Sequence, residues 1–357
     1  MINIKKIYSG KKILVTGHTG FKGSWLISWL DLMGANVVGL SKNIVSQPNH
    51  FELLGIKKKI KNYFFDISNI KKLKKLFADE KPDFVFHLAA QSLVSVSYKN
   101  PLNTFLSNSI GVANILECIK SCKSVKSSII VTSDKCYKNV EKKSGYKETD
   151  ILSGTDPYSA SKSCAEIIFS SYCKSLINDS KLQIVSIRAG NVIGGGDWSR
   201  DRIIPDIIKS LEQNKKFFIR NPKSTRPWQH VLEPLRAYLI IAAILSKSKK
   251  SYLGESYNVG PYPQKSMTVL DLIKNIDLFK KIKIYKKHGK FKEAKLLSLN
   301  INKLKKDFNI KPILNNKKTT DYISDWYKNY FKNKKNTYKI TVKQIKKYSK
   351  ESNLKII

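Results

Sequence analysis

Acidic residues are scarce in this chain. Only 27 Asp and Glu stand against 66 Lys and Arg in 357 residues, a formal net charge of +39. An imbalance of that size suits a nucleic-acid or anionic-membrane partner when the cations gather in one stripe or groove. Here they are dispersed, in Lys57-Lys58-Lys59, Lys71-Lys72, Lys142-Lys143, Lys249-Lys250, Lys317-Lys318 and the stretch after Tyr330. None of these runs is interleaved with regularly spaced aromatics, as a single-strand groove would be. Ile, Asn and Lys are abundant together, so the charge reads as compositional drift and solvated surface. Neither nucleic acid nor a membrane is expected as a partner. What remains is a field that draws in anionic small molecules such as nucleotide diphosphates.

Cysteine is also sparse and unpatterned. Cys118, Cys122, Cys136, Cys164 and Cys173 are odd in number and form no Cys-x-x-Cys. Cys118 and Cys122 lie one helical turn apart, yet no second Cys/His pair completes a zinc site, so no metal is expected. Reduced structural thiols of a cytosolic protein are the simpler reading. Long apolar runs are missing too. Tyr238 to Leu245 is too short to span a bilayer and reads as a buried helix. Met1 to Gly10 lacks the apolar stretch of a signal peptide, and the expectation is a soluble, cytoplasmic protein.

What is present is a regular alternation. Short apolar runs at Lys12–Thr16, Asn36–Leu40, Tyr63–Asp66, Asp83–Leu88, Ser128–Ser133 and Gln183–Arg188 are separated by helical stretches. Those stretches lie around Trp25–Leu30, over Ile70–Phe77, from Pro101 to about Cys122 and from Pro157 to about Leu176. Continuous apolar strands between helices indicate a parallel sheet covered on both faces. The expected fold is therefore α/β, a doubly wound parallel sheet with a smaller C-terminal substrate-binding lobe. Residues 1–190 would form the dinucleotide-binding domain carrying the catalytic residues. Residues 191–336 would form most of the lobe, with some segments returning to the sheet and helices over Ile203–Gln213 and Glu233–Ser246. The Lys-rich segment 337–357 is expected to be loosely held.

Three motifs carry chemistry. Gly17, His18, Thr19, Gly20, Phe21, Lys22 and Gly23 follow the first strand and open the first long helix. Gly17 permits a tight turn, Gly20 lets the backbone approach a pyrophosphate, and Gly23 lets helix and sheet pack closely. The helix N-terminus then offers free N–H groups to a diphosphate. The acidic residue that would hold the ribose hydroxyls after the second strand is absent; Ser41 and Lys42 stand there, and Lys42 leaves NADP open beside NAD. Asp66, after the third strand, is placed to accept from an adenine amino group or to cap the next helix.

Tyr158 and Lys162 are four apart on a helix and share a face. A lysine ammonium there lowers the phenol's pKa and holds a nicotinamide ribose, and the phenolate takes a hydroxyl proton as hydride departs. Thr132-Ser133-Asp134-Lys135 ends the strand before that helix, where an active site of a parallel sheet belongs. Ser133 can bond the substrate hydroxyl, Asp134 can serve as an acid, and Lys135 is a second ionisable group; the bland alternative is a turn and helix cap.

The glycine loop, Tyr158-x-x-x-Lys162 and the run His87-Leu88-Ala89-Ala90-Gln91 resemble the extended short-chain dehydrogenase/reductase superfamily. Val131 to Tyr137, Arg188 to Trp198, Arg226 to Val231 and Tyr257 to Pro261 resemble its sugar-nucleotide 4,6-dehydratase group. Asp134-Lys135, where related dehydratases carry Asp-Glu, resembles the CDP-glucose branch. The resemblance implies NAD as cofactor, with contacts also from Ile67, Leu88, Ala89, Ala90, Gln91 and Thr132. It implies substrate contacts at Ser92, Asn191, Arg202, Arg226 and Asn258, with Arg226 as a diphosphate clamp, and His230 as a further candidate. It implies oxidation at sugar carbon 4 by Tyr158 with Lys162, protonation of the leaving hydroxyl by Asp134, and Lys135 as the carbon 5 base or as a group that orients substrate. The product would be a 4-keto-6-deoxy sugar nucleotide for deoxysugar and surface-polysaccharide synthesis. A homodimer or higher homo-oligomer is implied through the helices at Pro101–Cys122 and Pro157–Leu176. Another NAD(P)-dependent nucleotide-sugar dehydratase or epimerase, or a non-catalytic dinucleotide-binding protein, stands as the alternative.

Overall fold

The computed structural model describes residues 3–177, 181–219, 221–262, 267–279, 282–286 and 296–356. Six apolar strands arise where the alternation places them: β1 (Lys12–Thr16), β2 (Asn36–Ser41), β3 (Lys61–Phe64), β4 (Phe84–His87), β5 (Ser127–Val131) and β6 (Gln183–Ala189). Four short strands follow, β7 (Val192–Ile193), β8 (Phe217–Ile219), β9 (Thr225–Arg226) and β10 (Gln229–His230). Then come β11 (Ser256–Val259), β12 (Met267–Thr268) and β13 (Ile284–Lys286). The main sheet has seven strands in the order β11-β6-β5-β4-β1-β2-β3, and every neighbouring pair is parallel. Strand order reverses between β1 and β4, which opens a crevice at their carboxyl ends. The chain thus returns to the sheet late, through β11, while β7–β10, β9–β12 and β8–β13 pair into three small ribbons.

Side chains of one strand point alternately to opposite faces, and the burial follows that period. Ile13 and Val15 of β1, with Phe84 and Phe86 of β4, join one apolar cluster; Leu14 and Val85 join the other. The first cluster is covered by α2 (Phe21–Leu32) and α10 (Leu232–Leu245), with α1 (Ile4–Tyr8) and α3 (His50–Leu54) at its margin. The second is covered by α4 (Ile70–Glu80), α7 (Gly111–Ser121) and α8 (Pro157–Ser171). Short helices α5 (Val94–Lys99) and α6 (Pro101–Phe105) precede a π turn at Leu106–Ile110 that runs into α7. The lobe adds α9 (Ile203–Glu212), α11 (Val269–Asn275), α12 (Asn302–Phe308), α13 (Asn316–Lys332) and α14 (Thr337–Glu351).

The expectation of a loosely held end is corrected here. α14 buries Ile340, Ile345 and Tyr348 against α2 and α13, and turns its lysines outward. Tyr348 meets the Trp29 ring edge-on at 6.0 Å, and its hydroxyl accepts from Arg236 Nε at 2.9 Å. Beyond the helix, Leu354 and Ile356 are buried as well. A Lys-rich helix is amphipathic when its apolar residues recur at helical spacing, and the long lysine side chains then cover the outer face.

Candidate active site

The glycine loop is a backbone cradle. Gly17 sits at φ +75°, and a Cβ there would stand 2.8 Å from the Ala89 amide nitrogen, so loop and β4 end touch through bare backbone. A Cβ on Gly23 would lie 2.1 Å from the Gly17 carbonyl oxygen. Gly20 caps α2 with no side chain over it, which leaves the helix N-terminus open to an anion. The donor geometry fits a dinucleotide diphosphate. Thr19, beside it, is fixed by the Ser41 hydroxyl accepting from its amide and by its own hydroxyl donating to the Asn43 carbonyl.

Lys22, in the first turn of α2, is brought towards Lys162 and Arg202. Burial and those two cations press its pKa down to about 7, with Asp134 opposing them. Three converging cations make the mouth of the crevice electropositive, which suits a doubly charged diphosphate.

The expected pair, Tyr158 and Lys162, lies in the first turns of α8 (Pro157–Ser171). Asp156 caps α8, accepting from the Ser159 amide at 3.0 Å, and Pro157 occupies the first turn. This start places Tyr158 and Lys162 on the inner face, 8% and 3% exposed. The Tyr158 hydroxyl lies near Ser133, whose own hydroxyl donates to Asp134 Oδ1 at 2.9 Å. Burial pushes the phenol up to about 12, helped by Asp134 and opposed by Ser133 and the Arg202 cation. The resting phenol is therefore protonated, and the groups that act on it most are Ser133, Asp134 and Arg202. Burial lowers the Lys162 pKa to about 8, with Glu166 the leading group that holds it up against that.

Asp134 is buried, 3% exposed. Its Oδ1 accepts from the Ser133 hydroxyl at 2.9 Å, while its Oδ2 is buried without a partner. Burial raises its pKa, with Lys135, Ser133 and Arg226 pulling the other way. A carboxyl in that setting is inclined to hold a proton, as a general acid must. The Lys135 Nζ lies 5.9 Å from the Tyr158 ring centroid, so Ser133, Asp134, Lys135 and Tyr158 are neighbours, with Lys162 one turn further along α8.

Other expected contacts fall in two groups. Ser92 accepts from Arg202 at 3.3 Å, and Arg202 also pairs with Asp197 at 3.6 Å, so both stand at the mouth. Arg226, in β9 opposite Met267 of β12, acts electrostatically on Asp134, while the Asn191 carbonyl accepts from the Gln229 amide. Gln91 is engaged by Leu93, Asn108 and Thr104, which fixes the turn after β4; Leu88, Ala89 and Ala90 are half-buried there. Asp66 pairs with Lys42 at 2.8 Å and receives the Ser68 amide, whereas the cap of α4 is Asn69. Ile67 packs beneath Gly111, and Thr132 turns its hydroxyl to Glu166.

Three residues are corrected. The Asn258 side chain is wholly buried between Tyr137, Tyr146 and Asn300, with both its ends bonded to protein. His230 is wholly buried beside Trp25 and Tyr322, and its Nδ1 accepts from the Leu232 amide at 3.3 Å. The His18 ring lies under Gly39, between Ser41 and Asn62, so only its backbone belongs to the loop. Each stands in a motif next to site residues, but side-chain direction is set by packing that a motif position does not encode.

Glu166 is the residue that sequence reasoning misses. It lies one turn beyond Lys162 on the same face, surrounded in sequence by Ala165, Ile167, Ile168 and Phe169. An acid inside such an apolar run is the signal that could have found it. Its carboxylate pairs with Arg188 at 2.7 Å and accepts from the Ser186, Ser256 and Thr132 hydroxyls.

The sequence pattern describing GDP-mannose 4,6 dehydratase matches residues 14–321. The chain is 44% identical over 270 residues to the CDP-glucose 4,6-dehydratase of Salmonella typhimurium, covering 74% of this chain and 75% of that protein. Among solved structures, a dTDP-glucose 4,6-dehydratase from Bacillus anthracis in complex with NAD is similar with a TM-score of 0.74 at 22% identity, covering 90% and 97% of the two chains. A UDP-glucose 4-epimerase from Thermotoga maritima with UDP-glucose gives a TM-score of 0.77 at 21% identity, covering 90% and 99%. These two likenesses show the fold.

Proposed function

The chain belongs to the GDP-mannose 4,6 dehydratase family, and from that premise we propose that it is an NAD-dependent lyase converting CDP-D-glucose to CDP-4-keto-6-deoxy-D-glucose and water. The observation that carries this reading is Asp134 beside the Tyr158–Lys162 pair: a buried carboxyl with a free oxygen next to a base that handles a hydroxyl proton. An epimerase needs the pair but not the acid. Bound NAD would accept the carbon 4 hydride and return one to carbon 6, leaving no net oxidant consumed. Tyr158, once it has given up its own proton to solvent on binding of the cationic cofactor and the substrate, takes the carbon 4 hydroxyl proton as a phenolate, with Ser133 orienting that hydroxyl. The resulting ketone acidifies carbon 5; Lys135 either removes that proton as a free amine or, as a cation, stabilises the enolate while the proton passes to solvent, and carbon 5 regains a proton once hydride has reached carbon 6. Asp134 delivers its proton to the departing carbon 6 hydroxyl.

Gly17, Gly20, Gly23 and the α2 N-terminus cradle the cofactor diphosphate, and Lys162 holds the ribose nearest the reaction. Lys42 is already engaged by Asp66, which supports NAD over NADP. Arg202 and Arg226 flank the substrate diphosphate, for which guanidinium geometry is suited. Leu102 and Ile167 are 72% and 57% exposed, and Leu106, Ile110 and Leu176 are exposed with them on α6, α8 and the π turns at Leu106–Ile110 and Tyr172–Leu176; this supports a homodimer through those helices. All five cysteines are free, in keeping with a reducing cytoplasm, where the product would feed deoxysugars of surface polysaccharides.

The test is turnover of a panel of nucleotide glucoses by purified protein, read by mass spectrometry. CDP-glucose should lose one water and yield a 4-keto-6-deoxy product. Dehydration of a different nucleotide glucose only would reassign the substrate, and epimerised product with no loss of water would sink the dehydratase reading.

A further inference from the structure

α8 carries more than its two reactive residues. Tyr158, Lys162 and Glu166 follow each other at four-residue steps along one face, and each is nearly or wholly inaccessible. Glu166 is held from three directions. Thr132, the residue before Ser133-Asp134, donates its hydroxyl to Oε1. From β6, Ser186 donates at 3.0 Å and Arg188 at 2.7 Å, and from β11 Ser256 donates at 3.2 Å. Arg188 is itself locked, donating to the Tyr137 hydroxyl at 2.8 Å and the Glu148 carbonyl at 2.9 Å. One carboxylate thus ties the catalytic helix to the loop bearing the acid and to two strands behind it.

We propose that Glu166 is a positioning residue of the reaction, fixing α8 in register with the Ser133-Asp134 loop and supplying the negative charge that keeps the Lys162 ammonium charged and in place. The proposal rests on the reading of Tyr158 and Lys162 as the oxidising pair. The charged and titratable groups around Lys162 leave few other sources for that charge. Lys22 reaches it from α2 and can add only positive charge, its pKa being pressed down to about 7; His87 on β4 is fully buried, hydrogen-bonded to Thr16, and pressed by burial and Lys162 down to about 3, hence neutral. Cys136, after β5, is a buried thiol pushed well up by burial and by Glu166 itself, hence also neutral. On α8 there remain Tyr158, protonated at rest, and Glu166. Glu166 is the leading group that opposes the burial of Lys162, whose pKa falls to about 8 even so. Removing that charge lowers the lysine further, and the alkaline limit of activity should follow it.

The experiment measures, across pH, the single-turnover rate of nicotinamide reduction on mixing NAD-loaded enzyme with CDP-glucose, and separately the affinity for NAD by tryptophan fluorescence. Glu166→Gln leaves Arg188 buried without a counter-charge, which on its own can unfold the chain. Glu166→Gln/Arg188→Met removes both charges and keeps the site neutral and filled. In the folded single variant the alkaline limb should begin at a pH lower by about one or more, with a rate above that limb about tenfold below the parent's; in the double variant, which also removes the Arg188 cation, the limb should move in the same direction by less. NAD affinity should lose its plateau at the same lower pH. Glu166→Asp, retaining the charge, should restore the limb towards that of the parent. A limb unmoved in the double variant, with only thermal stability lowered, would overturn the proposal and leave Glu166 a structural residue. Should no nucleotide sugar reduce the cofactor even in the parent enzyme, the functional reading fails, and the pH dependence of NAD affinity still decides the role of Glu166.

Discussion

The two halves of the site rest on helices that are seated by opposite means. α2 follows β1 and carries the glycine loop's helix end; α8 follows the loop after β5 and carries Tyr158 and Lys162, the pair proposed to react. α2 buries Trp25, Leu26, Ile27, Trp29 and Leu30, and meets its own loop through the bare backbone of Gly23. The histidines packed around it are neutral: burial holds His50 and His230 down to about 3, and His18 down to about 4. α8 instead buries Lys162, Ser163, Ser161 and Glu166, with Arg188 opposite. A seat built from shape and neutral rings tolerates little added volume and fails when its rings are charged. A seat built from paired charges tolerates shape changes better and fails when a proton leaves. The cradle should therefore suffer in acid and the catalytic end in alkali.

The largest effect expected from breaking this contrast is Tyr158→Phe, which removes a reacting group and leaves the packing of α8 nearly intact. Nicotinamide reduction by CDP-glucose should fall about 10²–10⁴-fold, with a melting temperature close to that of the parent. A variant retaining more than a tenth of the rate would assign the base to another residue. Gly23→Ala is the counterpart on α2. The new methyl cannot fit 2.1 Å from a carbonyl oxygen that belongs to the same tight loop. The loop must open, at about 2–4 kcal/mol, and NAD affinity should fall with stability. Unchanged NAD titration with a lowered melting point would separate the cradle from the packing and weaken the account of the loop.

These two positions also mark what is legible from residues alone. The glycine spacing and Tyr158-x-x-x-Lys162 are local patterns, each readable within one strand–helix unit, and so are six of the seven parallel strands. β11 shows in the sequence only as the motif Tyr257–Pro261, because a four-residue strand arriving after an irregular lobe has no periodicity of its own. The same motif points Asn258 at the substrate, yet its side chain lies on Tyr137, 121 positions earlier, a contact that only the sheet brings about. α14 is hidden because its lysines dominate the composition while its buried face is narrow. Glu166 is inconspicuous because its partners, Thr132, Ser186, Arg188 and Ser256, come from distant segments.

The acid response sharpens the comparison further. A histidine whose folded pKa is depressed binds fewer protons folded than unfolded at any pH below about its ordinary 6.5. Its contribution to stability is intact above 6.5 and is lost as pH falls from there towards 3–4. Each buried histidine should approach about 1.4 kcal/mol lost per pH unit within that window. His18, His50, His87 and His230 act together, so denaturation midpoints taken at pH 7, 6 and 5 should fall steeply. A flat series would mean that these rings are not held neutral. Activity, by contrast, should decline on the alkaline side as Lys162 loses its proton near 8, before the fold is affected.

The smallest effect concerns the join between the cradle and the end of the chain. His50 links α2 to α14: its Nδ1 meets the Ser24 hydroxyl at 2.8 Å and its Nε2 meets the Thr341 hydroxyl at 3.1 Å. The same Thr341 oxygen accepts from Trp326 Nε1 at 3.2 Å. Thr341→Val keeps the volume and deletes the oxygen, leaving an indole N–H and an imidazole nitrogen buried without a partner. The cost should be about 1–2 kcal/mol, seen as a lower melting temperature. Because Ser24 lies one residue past Gly23, the loosened helix should also bind NAD somewhat more weakly, while the alkaline limb set by Lys162 should not move. A Thr341→Val enzyme whose pH profile moved like that of a Glu166 variant would show that the two seats are one coupled unit, and the division between them would have to be abandoned.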